Sequence, residues 1–404
     1  MRRSGLARPV AARQPLLFPG LRTANTKSLL LGTALASTLL FGIVLAPAPA
    51  AAQTQPCPGT PPVSNTEPIV DTSNIAPIVC NNADDRAANA ASFYRAIDLS
   101  TSFDGNFVRL DNSGALTATA VNAYAFGIDI YTSGNSSGID IQNANRINAT
   151  STGDYVGVIG IYGSTRGDLS GIVVENDGII QARATALYDA TATGIEASAF
   201  SAGVRIDNRA SISAIAQETE SYFGAAARGI NADAYLNIAI DNCGNVTAQA
   251  ISGTSTSAVG ISADSFAGAI SIQNRAEILA TAGQQFGYAA GISADASGAV
   301  TIENRGDIVA TAAFAVGIYA AAGGNITIRN SADITASTIG IDAVTCGYCS
   351  PANIDITSGG VIQAGVAGIL AENIFGDISI TNTGRHGRRA GHRSVRIWQH
   401  HDRQ

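Results

Sequence analysis

The sequence predicts an all-β fold, a right-handed parallel β-helix (β-solenoid) of about ten rungs, and three observations predict it. A unit of the form Ile-x-Ile-x-Asn-x-small-x-Ile-x-Ala recurs along the chain, as in residues 270–280. The Asn anchors of these units lie 24 to 34 residues apart, which is a period typical of solenoids. A Gly-Ile pair, such as Gly260-Ile261, precedes each later anchor by 13 to 18 residues and sets a common register.

Each unit reads as three short strands. Ile270 and Ile272 alternate with Ser271, which is the period of two expected of a strand with one buried face. A helix would need apolar residues at steps of three and four. The chain also contains 43 glycines, and glycine at that frequency disfavours helices. Strands this short are stable only when turns stack at about 4.8 Å and pair their backbones. The prediction is therefore a stack of three-stranded turns.

The Asn anchors predict a structural role for a buried polar column. Asn tolerates the left-handed backbone conformation of a tight turn, and stacked Asn side chains can form a hydrogen-bonded ladder along the axis. The residue two positions later is usually Gly or Ala, as a crowded corner requires. The anchors are Asn112, Asn143, Asn176, Asn208, Asn242, Asn274, Asn304, Asn330 and Asn382, with Ser358 in the place of one.

The first 52 residues predict an extended signal peptide. Six basic residues precede an apolar run over 29–46, and the leader contains no acidic residue. An Ala-rich segment then ends at Ala52, where cleavage before Gln53 is expected. A transmembrane anchor is the alternative, but Pro47 and Pro49 favour cleavage. Beyond this leader we expect an N-terminal cap or linker over 53–104, the repeats over 105–384, and a disordered Arg/His-rich tail over 385–404.

Charge restricts the partners of the exported body. Residues 53–384 contain 12 Arg and 30 acidic residues, so their formal charge is 12 minus 30, or −18. This surface argues against binding of nucleic acid or an anionic membrane. It suits a soluble filament that does not self-associate, so we expect a monomer.

Cysteine use is consistent with export. Cys57 and Cys80 bracket a Pro-rich segment and could form a disulfide in the cap, and Cys346 and Cys349 lie in an insertion between two strands. Cys243 is left over. Zinc is the alternative for Cys346 and Cys349, but a structural site needs four ligands and the body contains no His. We therefore expect no metal and no cofactor.

At this level the chain resembles the passenger region of a bacterial autotransporter, the self-exporting surface proteins of Gram-negative bacteria. The long leader ending at Ala52 and the repeats over 105–384 carry the resemblance. It implies secretion to the cell surface, a right-handed β-helix, and a role in adhesion, biofilm formation or, less often, hydrolysis. Loops on one side of a non-enzymatic stalk would then bind a host or matrix protein, a surface glycan or a neighbouring cell.

The C-terminal segment departs from that family. Autotransporters carry a membrane β-barrel of at least about eight strands, whereas only 20 residues follow Gly384 here. Those residues contain six Arg, the single Trp and all four His. We expect a shifted reading frame after residue 384, and we expect a periplasmic product unless the intact gene encodes the translocator barrel through which the protein would reach the outer membrane.

Polysaccharide hydrolysis or cleavage on the same scaffold is the alternative function. No His precedes residue 386, so a Ser-His-Asp triad within the repeats is excluded. Glu277, Asp307 and Asp333 would stack about 5 Å apart, a distance that suits retaining glycoside hydrolysis. A solvated ladder of alternating charge with Arg275 and Arg305 explains the same pattern and is the interpretation that we prefer.

Two sets of residues are candidates for ligand binding. The motif Arg166-Gly167-Asp168 lies in a variable connection and could be exposed for receptor capture. Aromatic residues fall in the connections that precede Gly-Ile, where they would either bind a partner or fold back over the edge of the core. They are Tyr155, Tyr188, Tyr222, Phe223, Phe286, Tyr288 and Phe314.

Overall fold

The protein is described by a computed structural model over residues 69–72, 77–90, 94–220, 224–252, 255–283, 285–345, 351–384 and 395–399. All of these residues lie in the unit that spans 53–404. They form 31 β-strands, numbered here in chain order, and no helix, so the described part of the chain offers no helical membrane span. The predicted fold class, an all-β parallel solenoid, is confirmed.

One strand from each turn builds an eleven-stranded parallel sheet, which we call face 1. Face 1 comprises β2 (Ile78–Asn82), β5 (Val108–Asn112), β8 (Ile139–Asn143), β10 (Ile172–Asn176), β12 (Val204–Asn208), β15 (Ile238–Asn242), β18 (Ile270–Asn274), β21 (Val300–Asn304), β24 (Ile326–Asn330), β27 (Ile354–Ser358) and β30 (Ile378–Asn382).

A second parallel sheet of 20 strands covers two further faces. Face 2 contains the Ile-x-Ala strands: β3 (Arg86–Ala90), β6 (Leu116–Val121), β13 (Ile212–Glu218), β16 (Val246–Ile251), β19 (Ile278–Thr281), β22 (Ile308–Thr311), β25 (Ile334–Ala336) and β28 (Ile362–Ala364). Face 3 contains the Gly-Ile strands: β1 (Ile69–Asp71), β4 (Tyr94–Thr101), β7 (Tyr124–Thr132), β14 (Gly224–Ala234), β17 (Thr256–Ser265), β20 (Tyr288–Ala296), β23 (Phe314–Ala322), β26 (Ile339–Thr345), β29 (Ala367–Asn373) and β31 (Val395–Gln399). The long strands β9 (Ile147–Thr165) and β11 (Ile180–Ala199) run through both faces.

The stack is longer at both ends than the repeats alone predict. Nine turns separate β5 from β30, in agreement with the ten predicted anchors, but β2 adds an earlier turn whose strand pairs with β5. The segment 53–104 therefore contributes strands of the solenoid. Its motif is hidden in the sequence because Cys80 replaces Ile at the second inward position. Within the expected tail 385–404, β31 pairs in parallel with β29, and the rest of that tail lies outside the described residues.

Alternation along each strand places the core as predicted. Ile272 is fully buried, whereas the neighbouring Ser271 is exposed. The Gly-Ile glycine has a steric role: a Cβ on Gly260 would lie 2.2 Å from Cγ2 of Ile278 and 2.6 Å from the carbonyl oxygen of Gly291. Most of the Gly-Ile glycines have an equivalent contact in the next turn, so this column admits no side chain. The stacking distance between turns therefore requires glycine there.

The Asn anchors form a continuous ladder. In eight successive steps, from Asn82 to Asn330, the side-chain Nδ2 of one Asn donates to Oδ1 of the next at 2.7–2.8 Å. Asn330 continues to the hydroxyl of Ser358 at 3.2 Å. The second N–H of most members donates to a backbone carbonyl two residues later, as from Asn208 to Ala210 at 2.8 Å. These Asn side chains are at most 3% exposed, so the ladder satisfies amides that would otherwise be buried unpaired.

Two details of the predicted ladder differ. The non-glycine residues of positive φ among those described are Asn122, Ser136 and Leu169, so a left-handed backbone is not the reason for the anchors. Asn382 is in register with Ser358 but is exposed, and its Oδ1 accepts a hydrogen bond from the Gly384 N–H. The constraint that selects Asn is the need for one group that both donates and accepts between turns.

Ile272→Asp tests the register of face 1. The substitution places an unpaired carboxylate in the core and should cost on the order of 4 kcal/mol or more. Ser271→Asp changes the adjacent exposed residue of the same strand and should leave the melting temperature almost unchanged. Thermal melts of the two variants check this, and equal shifts would contradict the register.

Asn208→Ala tests the ladder. It leaves Nδ2 of Asn176 and Oδ1 of Asn242 buried without their partner, at about 1–3 kcal/mol for each group. Asn148→Ala, on the outer side of face 2, is the control and should cost little. Chemical denaturation of both variants measures the difference, and similar losses of stability would show that the ladder contributes no more than a surface amide.

Candidate functional site

The predicted aromatic residues share one edge of the solenoid, the junction of faces 2 and 3, which we call corner 2–3. Tyr155, Phe286 and Phe314 are exposed there, with Phe286 at 71%. Tyr188 and Tyr288 are half-buried. Rings of neighbouring turns pack together, with centroids 5.4 Å apart for Tyr155 and Tyr188 and 6.1 Å apart for Tyr288 and Phe314. Tyr222 and Phe223 lie outside the described residues.

Some of these rings cover the edge of the core, and others are exposed and could contact a partner. Burial raises the pKa of the Tyr288 hydroxyl to about 12, as expected for a ring that folds over the sheet. Tyr155 is not in a loop, because it lies within β9 and pairs with Asp189 of β11. Tyr188 lies at the irregularity between Ala186 and Asp189. Corner 2–3 is therefore partly covered core edge and partly exposed surface.

A second row of exposed apolar residues lies at the junction of faces 3 and 1, which we call corner 3–1. Phe200, Tyr235 and Phe266 occupy the same position in three successive turns. The backbone N–H of Tyr235 donates to the carbonyl oxygen of Ala199, and that of Phe266 donates to the carbonyl oxygen of Ala234, each at 3.0 Å. Their side chains are 70%, 44% and 65% exposed. Leu169 and Leu236 are exposed at the same corner. The row therefore spans consecutive turns without interruption.

Sequence reasoning missed this row, although a signal exists. Each aromatic follows the Gly-Ile glycine of its turn by six residues, as Phe200 follows Gly194 and Phe266 follows Gly260. The row lies after the Gly-Ile strand, whereas the predicted aromatic residues precede Gly-Ile, in the connections of variable length. The rings of Tyr235 and Phe266 are stacked, with centroids 5.2 Å apart and an interplanar angle of 27°.

The motif Arg166-Gly167-Asp168 also lies at corner 3–1, one turn before Phe200. Arg166 and Asp168 are exposed, and the guanidinium of Arg166 lies 5.6 Å from the centre of the Tyr131 ring. Gly167 is buried, and a Cβ added there would lie 1.9 Å from the Gly134 carbonyl oxygen, so this position requires glycine. The backbone N–H of Asp168 donates to Oδ1 of Asn135 at 3.0 Å. The two charged residues are thus displayed on a turn held by its neighbour.

The carboxylates at the junction of faces 1 and 2, or corner 1–2, have a structural task. Glu277, Asp307 and Asp333 are exposed and stacked, as predicted. Oδ1 of Asp307 accepts the backbone N–H of Asp333 at 3.0 Å, and Oδ1 of Asp333 accepts that of Val361 at 2.8 Å. These contacts tie each corner to the next.

The arginines expected to alternate with those acids pair elsewhere. Arg275 lies 3.2 Å from Asp241, and Arg305 lies 3.6 Å from Glu303. Both partners are on the outer side of face 1. The predicted ladder of alternating charge therefore runs across face 1 and not along corner 1–2.

Three carboxylates, one half-buried and two exposed, form a column on face 3. Asp233, Asp264 and Asp295 are in register in three successive turns. Burial raises the pKa of each, and the charge of Asp264 raises the pKa of Asp233 and Asp295 further. Elsewhere on this face, burial raises the pKa of Asp129 and Asp342 to about 6. Like charges directly opposite on neighbouring strands are destabilising when ionised.

Cys80 and Cys243 are the two cysteines within the described residues. Cys80 is buried and disulfide-bonded, and its partner lies outside the described residues, as do Cys57, Cys346 and Cys349. Cys243 is free and exposed. Across the part of the chain that the structure describes, no three His, Cys, Asp or Glu side chains are grouped to hold a metal ion. The leader, with Ala52 and Gln53, is also outside the described residues.

The fold defines the protein as a parallel β-solenoid built of sequence repeats. In comparisons with known proteins, no family model matches this chain, and no curated protein and no solved structure shows significant similarity to it.

Asp264→Asn tests the acidic column by its pH dependence. A pKa raised by folding means that the folded state binds more protons than the unfolded chain, so stability falls as the pH rises through the raised pKa values. Removing the central charge should raise the melting temperature at pH 7, on the order of 1–2 °C because the side chain is exposed.

The gain should shrink as the pH falls through the raised pKa values of the column, because the carboxyls of the folded column then become protonated. Asp355→Asn on face 1 is the control, because its register neighbours, Thr327 and Ser379, are uncharged. Thermal melts between pH 4 and 7 measure both variants. A gain for Asp264→Asn that is independent of pH would contradict repulsion within the column.

Proposed function

We propose that this protein is an exported, non-enzymatic surface stalk that binds a protein of a host, a matrix or a neighbouring cell through corner 3–1. The observation that carries the proposal is the uninterrupted row of exposed apolar side chains there. Single exposed apolar residues are ordinary, but a contiguous patch on a soluble protein marks an interaction surface. Phe200, Tyr235, Phe266, Leu169 and Leu236 form such a patch on an otherwise acidic body.

Ring geometry favours a protein partner over a glycan. A sugar stacks its flat side on the open face of an aromatic ring. The rings of Tyr235 and Phe266 face each other at 5.2 Å, so they present mainly their edges outward. Ring edges and leucine side chains fit an apolar pocket better than a sugar ring. The exposed Arg166 and Asp168 add charged groups at the border of the patch, as in a polar rim.

Export and display are supported by the sequence. The basic, apolar and Ala-rich order of residues 1–52 is that of a signal peptide. The resemblance to autotransporter passengers, together with a β-solenoid body, supports secretion by the same route. In that family a translocator barrel carries the passenger to the cell surface, and a product that is not translocated stays in the periplasm.

A binding role is preferred to catalysis because the acids most regular in sequence have other partners. The carboxylates of Asp307 and Asp333 accept backbone N–H groups of the next turn, and they lie on an exposed edge. A pair working as acid and nucleophile would need to face a bound sugar. Polysaccharide cleavage therefore has no specific observation in its favour.

The triple variant Phe200→Ser, Tyr235→Ser and Phe266→Ser tests the proposal. None of the three side chains belongs to the buried core, so the melting temperature should change little. Binding of the purified protein to a panel of matrix proteins and to intact host or bacterial cells should fall at least about tenfold, because aromatic anchors dominate interface energies. Surface plasmon resonance and cell-binding assays measure this.

The matched control is Tyr155→Ser, Phe286→Ser and Phe314→Ser at corner 2–3. It removes the same number of exposed aromatic rings from the edge that the sequence favours. Loss of binding only in this control would move the site to corner 2–3 and contradict the proposal. If the unmodified protein bound a glycan array and neither variant did, the partner would be a sugar and not a protein. Release of reducing sugar would indicate an enzyme.

A further inference from the structure

Face 2 differs in charge from the rest of the body. Between β6 and β28, the outward positions of its strands are hydroxyl, amide or aliphatic residues, as in Thr247, Gln249 and Leu279. Arg183 is the one charged side chain among these outward positions, and the carboxylate Glu218 of β13 is buried. A strip whose strands carry no exposed carboxylate therefore runs from β6 to β28 of an acidic protein.

Carboxylates lie on the other two faces and at the corners, where Glu277, Asp307 and Asp333 border face 2. The outer side of face 1 carries a column that includes Asp207, Asp241 and Glu303, and face 3 carries Asp233, Asp264 and Asp295. The face 1 carboxylates pair with arginines, as Asp207 does with Arg205 and Asp241 with Arg275. Two copies that approach through face 3 bring like charges together and repel each other. The net charge of −18, which is 12 minus 30, predicts a monomer for that approach. The strands of face 2 add no exposed carboxylate, so repulsion there is limited to the carboxylates at its bordering corners.

Shape also favours a copy of the same chain as the occupant. The outward side chains of face 2 repeat at the strand spacing of about 4.8 Å, and the repeat of a second solenoid is the same. A two-fold axis lying in the interface brings the same face of both copies together. Half-buried Ile215, Leu279 and Val309 supply apolar contacts between hydroxyl and amide groups. A partner whose surface groups repeat at another spacing would match only a few turns.

The area of face 2 is sufficient for a specific interface between two copies. The nine strands from β6 to β28 at about 4.8 Å, with three to seven residues of about 3.3 Å each on this face, give roughly 700 Å² per copy. A standard interface buries roughly 800 Å² on each partner, and about 1,000 Å² in total is the lower limit for a specific one. We propose that the protein associates with a second copy of itself through face 2. This inference does not depend on the ligand of corner 3–1.

The double variant Thr247→Asp and Leu279→Asp tests it. Both residues point outward from adjacent strands of face 2, so the variant introduces two charges into the interface without entering the core. The control is Ala239→Asp and Ser271→Asp, which adds the same charges in adjacent strands of face 1. Thermal melts of both variants establish that each is folded.

Sedimentation velocity and light scattering of the purified full chain at pH 7.5 give the readout. We expect dimers at about 100 μM that dissociate on dilution, since interfaces of this size reach at least micromolar affinity. The face 2 variant should be monomeric at every concentration, and the face 1 variant should dimerise like the unmodified chain. A monomeric unmodified protein at about 100 μM, or a face 2 variant that still dimerises, would overturn the proposal.

Discussion

Every other feature of this protein depends on one constraint: each turn lies directly on the next at the spacing of one β-strand. Hydrogen bonds between backbones enforce that distance, and two columns of residues are adapted to it. The Asn ladder has a donor and an acceptor on each side chain, so it can continue from turn to turn at 2.7–2.8 Å. The Gly-Ile column has no side chain because the next turn occupies its space. Substitution in either column affects the two neighbouring turns as well.

Stacking also repeats each outward residue of the unit from turn to turn. A residue type that recurs at one position of the unit becomes a column, whether it is an acid, an aromatic ring or a hydroxyl group. The surface is therefore organised in strips: paired charges on face 1, an acidic column on face 3, exposed rings at two corners, and a face 2 on which Arg183 is the one outward charge between β6 and β28. The binding that we propose for this protein therefore uses a strip that spans several turns.

The same geometry decides between alternative roles for one residue. Carboxylates that stack at corner 1–2 have the spacing of a catalytic pair, but at that spacing they also reach the backbone N–H of the next turn. Rings before Gly-Ile are close enough to the sheet for Tyr288 to fold over it, while Phe286 remains exposed. Periodicity alone does not separate these outcomes, because residues with the same spacing differ in the partners that the adjacent turn provides.

The sequence by itself determined the solenoid, its register, the inward Ile residues and the Asn column, because these depend on a repeat that is local and visible in one dimension. It did not reveal the first turn, where Cys80 interrupts the motif, nor the exposed row of Phe200, Tyr235 and Phe266. Only the tertiary structure decided which outward residues share a face, which carboxylates are buried, and which rings remain open to solvent. Those properties depend on contacts between residues about thirty positions apart, and they appear only when the turns are stacked.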